Sequence, residues 1–329
     1  MYKKSFTLNT KNKLKPFHKV ITVDSDKSIS IRSFILSSIG HNISEIHNAL
    51  ESDDVLSCIN CLKKLGVKIV KVKPKYYKVY GKGLGSLNIN KNKTLDCGNS
   101  GTTARLITGL LSTNPGIKVK ITGDHSLKKR NMSKLIKLMK EFGATFYPEK
   151  KERFPLTLVS SEMPIGIDYR AGVSAQLKSA VMLAGLNAYG VTNIIEEEKS
   201  RNHTENMLSK NSNVLIMKKI KKNRKNIKIF GKGYLDPIKT KISGDPSSAA
   251  FFTALTILNY GSSLKIKNVG LNSRRIGFYN LLKKHGAKIK FKNIRKKNNE
   301  LRGDILVKNC KLKPIKATKN YYVNSTDEY

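Results

Sequence analysis

Four short segments of the chain combine hydroxyl, amide or carboxyl side chains with small residues, and three of them also carry basic side chains. Lys27, Ser28 and Arg32 stand together in the first segment, and residues 98–105 are rich in glycine and end in an arginine. Lysine and arginine form charge-assisted hydrogen bonds with phosphates and carboxylates, and hydroxyl groups add further donors. These residues therefore predict the binding of a substrate that carries phosphate or carboxylate groups.

Each of these segments precedes an apolar run and is typical of the start of a helix. The first N–H groups of a helix have no partner within the helix, and the helix dipole is positive there, so such ends bind anions. Ordinary N-capping explains a single Ser or Asp before a helix, but it does not call for the basic neighbours. Four such starts favour an anion site. They occupy residues 26–32, 98–105, 173–179 and 244–250.

The four starts recur at a nearly constant interval along the chain. From Lys27 to Asn99, then to Ser174 and Ser247, the steps are 72, 75 and 73 residues. Internal periodicity of this length indicates a repeated supersecondary unit. The chain is therefore expected to contain several copies of one structural unit.

A second predicted helix recurs in step with the first. In three copies it ends at a glycine (Gly66, Gly143 or Gly286), which is a usual helix stop, and β-branched residues follow. The third copy, predicted over 205–211, has Asn211 at the corresponding place. Each unit is thus predicted to be β-α-β-α-β-β. Four units span about residues 22–310, and a fifth is only beginning.

The composition raises the question of nucleic-acid binding. The 329 residues contain 63 Lys and Arg against 23 Asp and Glu, a formal net charge of +40, and such a charge attracts nucleic acids. The lysines, however, are scattered over nearly every predicted element. The densest runs, residues 218–228 and 292–297, are predicted to be solvated hairpin connections. No zinc finger or aromatic RNA-binding segment is present, so no specific nucleic-acid partner is expected.

The cysteines and apolar runs suggest a compartment. Cys58 and Cys61 lie in an apolar helical pattern, which favours helix packing over a redox or metal site, and four cysteines are too few for a disulfide framework. No apolar run has the roughly 20 residues of a membrane span, and residues 1–7 do not resemble a secretory signal. A cytoplasmic protein without a membrane association is expected.

The segments resemble, in order, the motifs of the 5-enolpyruvylshikimate-3-phosphate (EPSP) synthase family. The resemblance covers almost the whole chain. It rests on residues 26–32, 95–106, 123–130, 174–180, 200–205 and 244–252. It implies an enzyme that transfers the enolpyruvyl group of phosphoenolpyruvate to the 5-hydroxyl of shikimate 3-phosphate and releases phosphate. That reaction belongs to the shikimate pathway, which leads to chorismate and the aromatic amino acids. The resemblance implies no metal and no organic cofactor, and it implies a monomer.

The resemblance also implies an α/β fold of two domains, each an inside-out α/β barrel of three β-α-β-α-β-β units. Residues 22–238 would form the first domain. Residues 1–21 and 239–329 would form the second, incomplete domain. Because the family continues beyond the position of Tyr329, we expect this polypeptide to lack part of the second domain and not to turn over by itself.

Roles for individual residues follow from the resemblance. Shikimate 3-phosphate is expected to bind Lys27, Ser28, Arg32, Ser174, Ala175, Gln176 and Asp327, with Arg201 as a further candidate. Phosphoenolpyruvate is expected to bind Lys27, Gly101, Arg130 and Gln176. The implied catalytic residues are Asp327, which would accept the proton of the substrate hydroxyl, and Lys27. Without the resemblance, Asp327 would be interpreted as part of an acidic tail.

Two alternatives remain open from the sequence. One is the related transferase that uses UDP-N-acetylglucosamine as acceptor and shares the fold, although its Asn-rich start and its Cys-bearing loop are missing here. The other is a basic nucleic-acid-binding protein without catalysis.

Overall fold

The computed structural model describes residues 14–90, 93–221, 224–318, 321, 324–325 and 327–328. Within these residues there are nine helices and sixteen strands. The helices are α1 (Lys27–Ser38), α2 (Asp53–Lys64), α3 (Gly101–Ser112), α4 (His125–Lys129), α5 (Ser133–Glu141), α6 (Ala175–Gly185), α7 (His203–Leu208), α8 (Pro246–Leu258) and α9 (Gly277–Lys284). The strands are β1 (His18–Ile21), β2 (Ile43–His47), β3 (Lys68–Lys73), β4 (Tyr76–Tyr80), β5 (Thr94–Asp96), β6 (Lys118–Thr122), β7 (Thr145–Tyr147), β8 (Leu156–Val159), β9 (Asp168–Ala171), β10 (Val191–Glu196), β11 (Leu215–Lys221), β12 (Arg224–Phe230), β13 (Lys239–Lys241), β14 (Ser263–Gly270), β15 (Lys288–Lys297) and β16 (Glu300–Lys308).

The strands form four sheets of four strands each within the described residues. Their orders are β13-β2-β4-β3, β5-β6-β8-β7, β9-β10-β12-β11 and β1-β14-β16-β15. In every sheet the first pair of strands is parallel and the other two pairs are antiparallel. A parallel pair needs a long crossover, which a helix supplies, whereas an antiparallel pair needs only a short turn. The repeated unit predicted from the sequence is confirmed.

The first and fourth sheets exchange their leading strands, a feature that the repeat did not predict. β1 precedes α1 in the chain but pairs with β14, and β13 precedes α8 but pairs with β2. The chain therefore passes twice between the two sheets. At this crossing Asp26 N donates to Ser243 O (2.9 Å) and Asp245 N donates to Asp24 O (2.8 Å).

Helices α1, α3 and α6 lie in the interior. Nearly every residue of α1 and α3 is buried, as are the last eight residues of α6. Because these helices are covered on all sides, they lack a polar face, and their serines, threonines and glycines allow close packing. Helices α2, α5 and α9 are amphipathic, and each buries its apolar face.

The ends of the second helices follow the prediction in three units and differ in one. Gly66, Gly143 and Gly286 have φ of 82°, 91° and 97°, the left-handed conformation that glycine adopts without a steric penalty. The predicted helix over 205–211 is instead α7, which ends three residues earlier. Asn211 does not replace the glycine: its side-chain oxygen accepts a hydrogen bond from Asp236 N at 2.9 Å.

The buried apolar side chains form two separate clusters. One extends from Ile29 to Ile242 and is shared by the first three sheets. The other lies between Ala249 and Val307 and includes residues before α1, such as Ile21. Residues 239–241, which were expected in the second domain, pair with the first sheet through β13.

Two further expectations concern lysines and cysteines. Residues 218–228 and 292–297 were predicted to be connections, but they lie mainly in β11 and β12 and in β15. That interpretation was wrong because charged side chains can alternate along a strand whose one face is solvated. Cys58 and Cys61 are buried in α2, as predicted, and burial raises the pKa of the Cys58 thiol.

The contact between α3 and α6 yields a test of the packing. A β-carbon added at Gly109 would lie 2.5 Å from the carbonyl oxygen of Ala180 and 2.7 Å from its Cα, so the two helices would have to separate. We expect Gly109→Ala to destabilise the protein by about 1–3 kcal/mol, the usual cost of overpacking, despite the better helix propensity of alanine. Urea unfolding measures this change.

Gly172→Ala is the matched control, because a β-carbon there meets no atom within 4 Å. Its free energy of unfolding should change by less than about 0.5 kcal/mol. Equal effects of the two substitutions would show that α3 and α6 are not in close contact at Gly109.

Candidate active site

The four repeated helix starts are all N-caps. Asp26, Ser100, Ser174 and Asp245 accept hydrogen bonds from the backbone N–H groups of Ile29, Thr103, Leu177 and Ser247, at 2.9, 3.2, 3.3 and 2.8 Å. Capping thus accounts for these four residues themselves. The first three starts lie close together, because α1, α3 and α6 pack side by side.

Three of these starts border one cavity of about 200 Å³, the second of them through Thr102 on α3. The cavity is lined by Ser28, Arg32, Thr102, Val173, Ser174, Ala175, Gln176, Arg201, His203 and Asp327. Seven of these residues were named from the sequence as ligands of shikimate 3-phosphate or as candidates for that role. The structure brings them together although they span almost three hundred positions of the chain.

Arg32 is the buried cation of this cavity, with 4% of its surface exposed. Its Nε donates to Thr204 Oγ1 (2.9 Å) and its Nη2 to Ser179 Oγ (3.2 Å). Burial lowers the pKa of Arg32 to about 10, so the guanidinium remains charged at neutral pH. No described carboxylate forms an ion pair with Arg32, although the charges of Glu205 and Asp26 favour its ionised form. Its hydrogen-bond partners are neutral, which leaves the guanidinium available to an anion in the cavity.

Arg201 and Asp327 form an ion pair across the mouth of the cavity. Arg201 Nη2 lies 2.8 Å from Asp327 Oδ2, and their side chains are 20% and 48% exposed. This pair holds the Asp327 carboxylate beside the polar groups that line the cavity. Sequence reasoning placed both residues at the site but did not predict the contact between them.

A second group of basic side chains surrounds the start of α3. A β-carbon added at Gly101 would lie 2.7 Å from Arg130 Nη1 and 2.8 Å from Arg105 Nη1, so the glycine leaves room between two guanidinium groups. Arg130 Nη2 donates to Asn99 Oδ1 at 2.5 Å. Burial, together with the charge of Arg130, lowers the pKa of Arg105.

Gln176 connects the two groups. Its Oε1 accepts from Arg105 Nη1 (2.8 Å) and its Nε2 donates to Thr102 Oγ1 (3.0 Å), while its side chain also lines the cavity. Arg105 was part of a motif but was not named as a site residue. Its arginine type beside a glycine-rich start was the available signal.

Lys27 is not among the residues that line the cavity. Its Nζ lies 2.7 Å from Asp54 Oδ2, and its side chain is 48% exposed. Gly101 and Arg130 also lie beside the cavity rather than on its wall. Of the four predicted phosphoenolpyruvate residues, Gly101 and Arg130 therefore lie together outside the cavity wall, Gln176 lines the cavity, and Lys27 is paired with Asp54.

The start of α8 has a different environment. Buried Arg275 lies 3.6 Å from Asp26 Oδ2 and 2.9 Å from Asp245 Oδ1, so that it joins the caps of α1 and α8. Burial and the nearby Asp26 raise the pKa of Asp245 to about 6. Although burial opposes its ionisation, Arg275 lowers the pKa of Asp26. The residues at the start of α8 thus stabilise the chain crossing and do not line the cavity beside α1 and α6.

A buried ionic network supports the cavity from behind. Lys178, which is fully buried, lies 2.5 Å from Glu196 Oε1 and 2.5 Å from Glu205 Oε1. Arg274 contacts both carboxylate oxygens of Glu196, at 2.7 and 3.0 Å. Although burial opposes ionisation, the hydrogen bonds from Arg274 and Lys178 lower the pKa of Glu196. Sequence reasoning missed this network.

Comparison with known proteins identifies the class. The EPSP synthase family (3-phosphoshikimate 1-carboxyvinyltransferase) matches over residues 11–320. The 3-phosphoshikimate 1-carboxyvinyltransferase of Parvibaculum lavamentivorans is 38% identical over 310 residues, which cover 94% of this chain and 68% of the relative. That of Sulfurihydrogenibium sp. is 38% identical over 321 residues, covering 97% and 73%. The EPSP synthase structure from Acinetobacter baumannii superposes with a TM-score of 0.83 at 32% identity, covering 95% of this chain and 69% of that one.

The chain belongs to the EPSP synthase family. Its activity class is that of a 3-phosphoshikimate 1-carboxyvinyltransferase, as the motifs indicated. It spans about 70% of the length of these relatives.

No helix within the described residues is long and apolar enough to cross a membrane. No group of three or more His, Cys, Asp or Glu side chains that could hold a metal ion occurs in the same part of the chain.

The buried network yields a stability prediction. Lys178→Met would leave Glu205 without the cation that it contacts and Glu196 with only Arg274. Removing one partner of a buried ion pair costs about 3–5 kcal/mol, and we expect a loss of this size in the free energy of unfolding, measured in urea.

Lys137→Met, on the solvated face of α5, removes the same charge from an exposed helical position and should change stability by less than about 0.5 kcal/mol. A Lys178→Met protein as stable as the Lys137→Met protein would mean that the network contributes nothing to folding.

Proposed function

We propose that the cavity beside α1 and α6 binds shikimate 3-phosphate and that the group around Gly101 binds phosphoenolpyruvate. The observation that carries the proposal is Arg32, a buried guanidinium in a polar cavity at three helix N-termini. A dianionic phosphate would supply the charge that no described carboxylate gives it. Helix N-termini and arginine together are suited to phosphate.

The roles in the first subsite follow from the contacts. Arg32, Ser28 and Ser174 would hold the phosphate, and Gln176 would contact both substrates because it reaches Arg105 and Thr102. Ala175 has no polar side-chain atom and would contribute its backbone N–H. Arg201 would exchange part of its contact with Asp327 for the substrate.

In the second subsite, Arg130 and Arg105 flank the space left by Gly101. The phosphate and carboxylate of phosphoenolpyruvate would pair with these guanidinium groups, and Gly101 would provide its unobstructed N–H. Lys27 would have to leave Asp54 to reach this ligand. Such a change requires little, because an exposed ion pair contributes only about 0–1 kcal/mol.

The chemical step needs a base at the acceptor hydroxyl. We assign it to Asp327, which lines the cavity and is held there by Arg201. As the 5-hydroxyl adds to C2 of protonated phosphoenolpyruvate, its proton passes to Asp327. The tetrahedral intermediate then loses inorganic phosphate and a proton from the former methylene carbon, which leaves the enol ether. Lys27 would stabilise the negative charge of the phosphoenolpyruvate phosphate.

The proposal also concerns architecture. We take the two apolar clusters as the cores of two domains, residues 22–238 in the first and residues 1–21 and 239–329 in the second, each with the inside-out α/β barrel arrangement. The pairing of β13 with β2 favours a crossing a few residues later, after Lys241. Ligands would bind between the domains, which would close over them. The protein would act as a cytoplasmic monomer, as the resemblance to the family implies.

The assignment of the second subsite is tested with Arg130→Ala. Losing a charge-assisted contact of about 1.5–3 kcal/mol should weaken phosphoenolpyruvate binding roughly tenfold to hundredfold, and the affinity for shikimate 3-phosphate should change less than about threefold. Calorimetric titration of each ligand measures both constants.

Lys129→Ala is the control, because it removes a neighbouring exposed charge that makes no hydrogen bond or ion pair with the described residues of the site. It should alter neither constant more than about twofold. If Arg130→Ala weakened both ligands equally, the division into two subsites would be wrong.

A further inference from the structure

A second cavity lies at the crossing, on the other side of the first turn of α1 from the substrate cavity. Its volume is about 300 Å³. Arg302, on β16, and residues that follow α7 and surround β13 contribute to its wall. The wall comes from both sides of the crossing. An occupant would therefore contact elements of both apolar clusters at once.

Arg302 is a buried cation without an ionic partner. Only 6% of its surface is exposed, and within the described chain its guanidinium makes one hydrogen bond, from Nη1 to the carbonyl oxygen of Lys241 at 3.2 Å. Its Nε is fully buried and has no partner. An arginine cannot relieve such burial by losing its proton at neutral pH, so an anion in the cavity would compensate its charge.

The acidic side chains that line the cavity with Arg302 are Glu300, which contacts other residues, and Asp236, which is exposed. Glu300, two positions earlier on β16, contacts His203 (2.8 Å) and accepts hydrogen bonds from Asn206 and Asn272. Asp236 is exposed. On the opposite side of Arg302, a larger cavity of about 890 Å³ adds Arg295 and Lys267. Burial and the charge of Arg295 lower the pKa of Arg302.

The remaining lining combines a basic rim with an apolar floor. The basic rim consists of the exposed side chains of Lys210, Lys239, Lys241 and Lys297. Lys239 pairs weakly with Glu45 at 3.4 Å, and Lys210 donates to Asn298. The floor contains Ile29, Met207 and Ile238. A phosphate group would contact Arg302 and the rim, and an organic portion would cover the floor.

From this arrangement we infer a second anion site at the crossing, specific for small phosphate esters and built around Arg302. The site is separate from the proposed substrate cavity and does not depend on it. A purely structural arginine that only ties β16 to Lys241 is the competing interpretation. The two differ in whether a ligand binds.

The test is a calorimetric titration of the whole chain with phenyl phosphate and with inorganic phosphate, in low salt and with shikimate 3-phosphate saturating. We expect one molecule of phenyl phosphate to bind, and Arg302→Met to weaken it at least about tenfold. Arg302→Lys should restore part of the affinity. Tighter binding of phenyl phosphate than of inorganic phosphate would identify an ester as the ligand; equal binding would identify free phosphate and overturn the ester specificity.

If Arg302→Met does not fold, the double variant Lys210→Met/Lys297→Met decides the question, since both side chains are exposed. It should weaken phenyl phosphate binding about threefold to tenfold, with an unchanged melting temperature, whereas Lys137→Met should have no effect. Absence of binding at about 10 mM phenyl phosphate, or equal binding by Arg302→Met and the unaltered chain, would overturn the inference. Titration in the Arg32→Ala variant without shikimate 3-phosphate should still show the site, so a failure of the proposed substrate cavity would be recognised separately.

Discussion

The mutual packing of α1, α3 and α6 is the constraint on which the rest of the structure depends. These helices are covered on nearly all sides, so each can present unpaired backbone groups only at its ends. Small residues such as Gly109 and Ala180 bring α3 and α6 together, and their N-termini consequently lie side by side. The proposed anion site is thus a result of helix packing: three helix N-termini and their dipoles are concentrated in one region.

Basic side chains add to this positive potential. Some of them are paired with carboxylates, and Arg32 in the cavity is not. Away from the cavity, Lys178 and Arg274 contact Glu196, and Arg275 contacts Asp26 and Asp245. Within the cavity, Arg32 has hydroxyl and carbonyl partners only. A cation that is held by neutral groups is oriented without being neutralised, and this makes it suitable for a ligand phosphate. Among the cations proposed to bind substrate, Arg32 thus differs from Arg201 and Lys27, which are paired with Asp327 and Asp54.

Much of this arrangement could be predicted from the sequence, since helix starts and stops are local features. The N-caps at Asp26 and Ser174 and the left-handed glycines after α2, α5 and α9 depend on a few neighbouring residues. The resemblance placed residues 1–21, and with them β1, in the second domain. The pairing of β13 with β2 was not predicted, because the pattern of this strand fits either sheet and only the tertiary path distinguishes them. For the same reason the partners of Lys178 and the approach of Arg105 to Gln176, 71 positions away, were not evident. Residue type identified the cations, but only the fold shows which of them has a carboxylate partner.

The net charge of +40 also divides into buried charges that are paired with carboxylates and exposed charges that are not. Among the few acidic residues, Asp26, Glu196, Glu205 and Glu300 are located at contacts between elements that are distant in the chain, where each contacts a buried or half-buried basic group. Most lysines, in contrast, lie on strands and outer helices with their ammonium groups in solvent, as along β15. The excess charge is therefore largely a property of the solvated surface, where salt screens it. What distinguishes Arg32 and Arg302 from that general excess is burial without a carboxylate partner, since the burial of an unpaired charge is too unfavourable to be explained by composition alone.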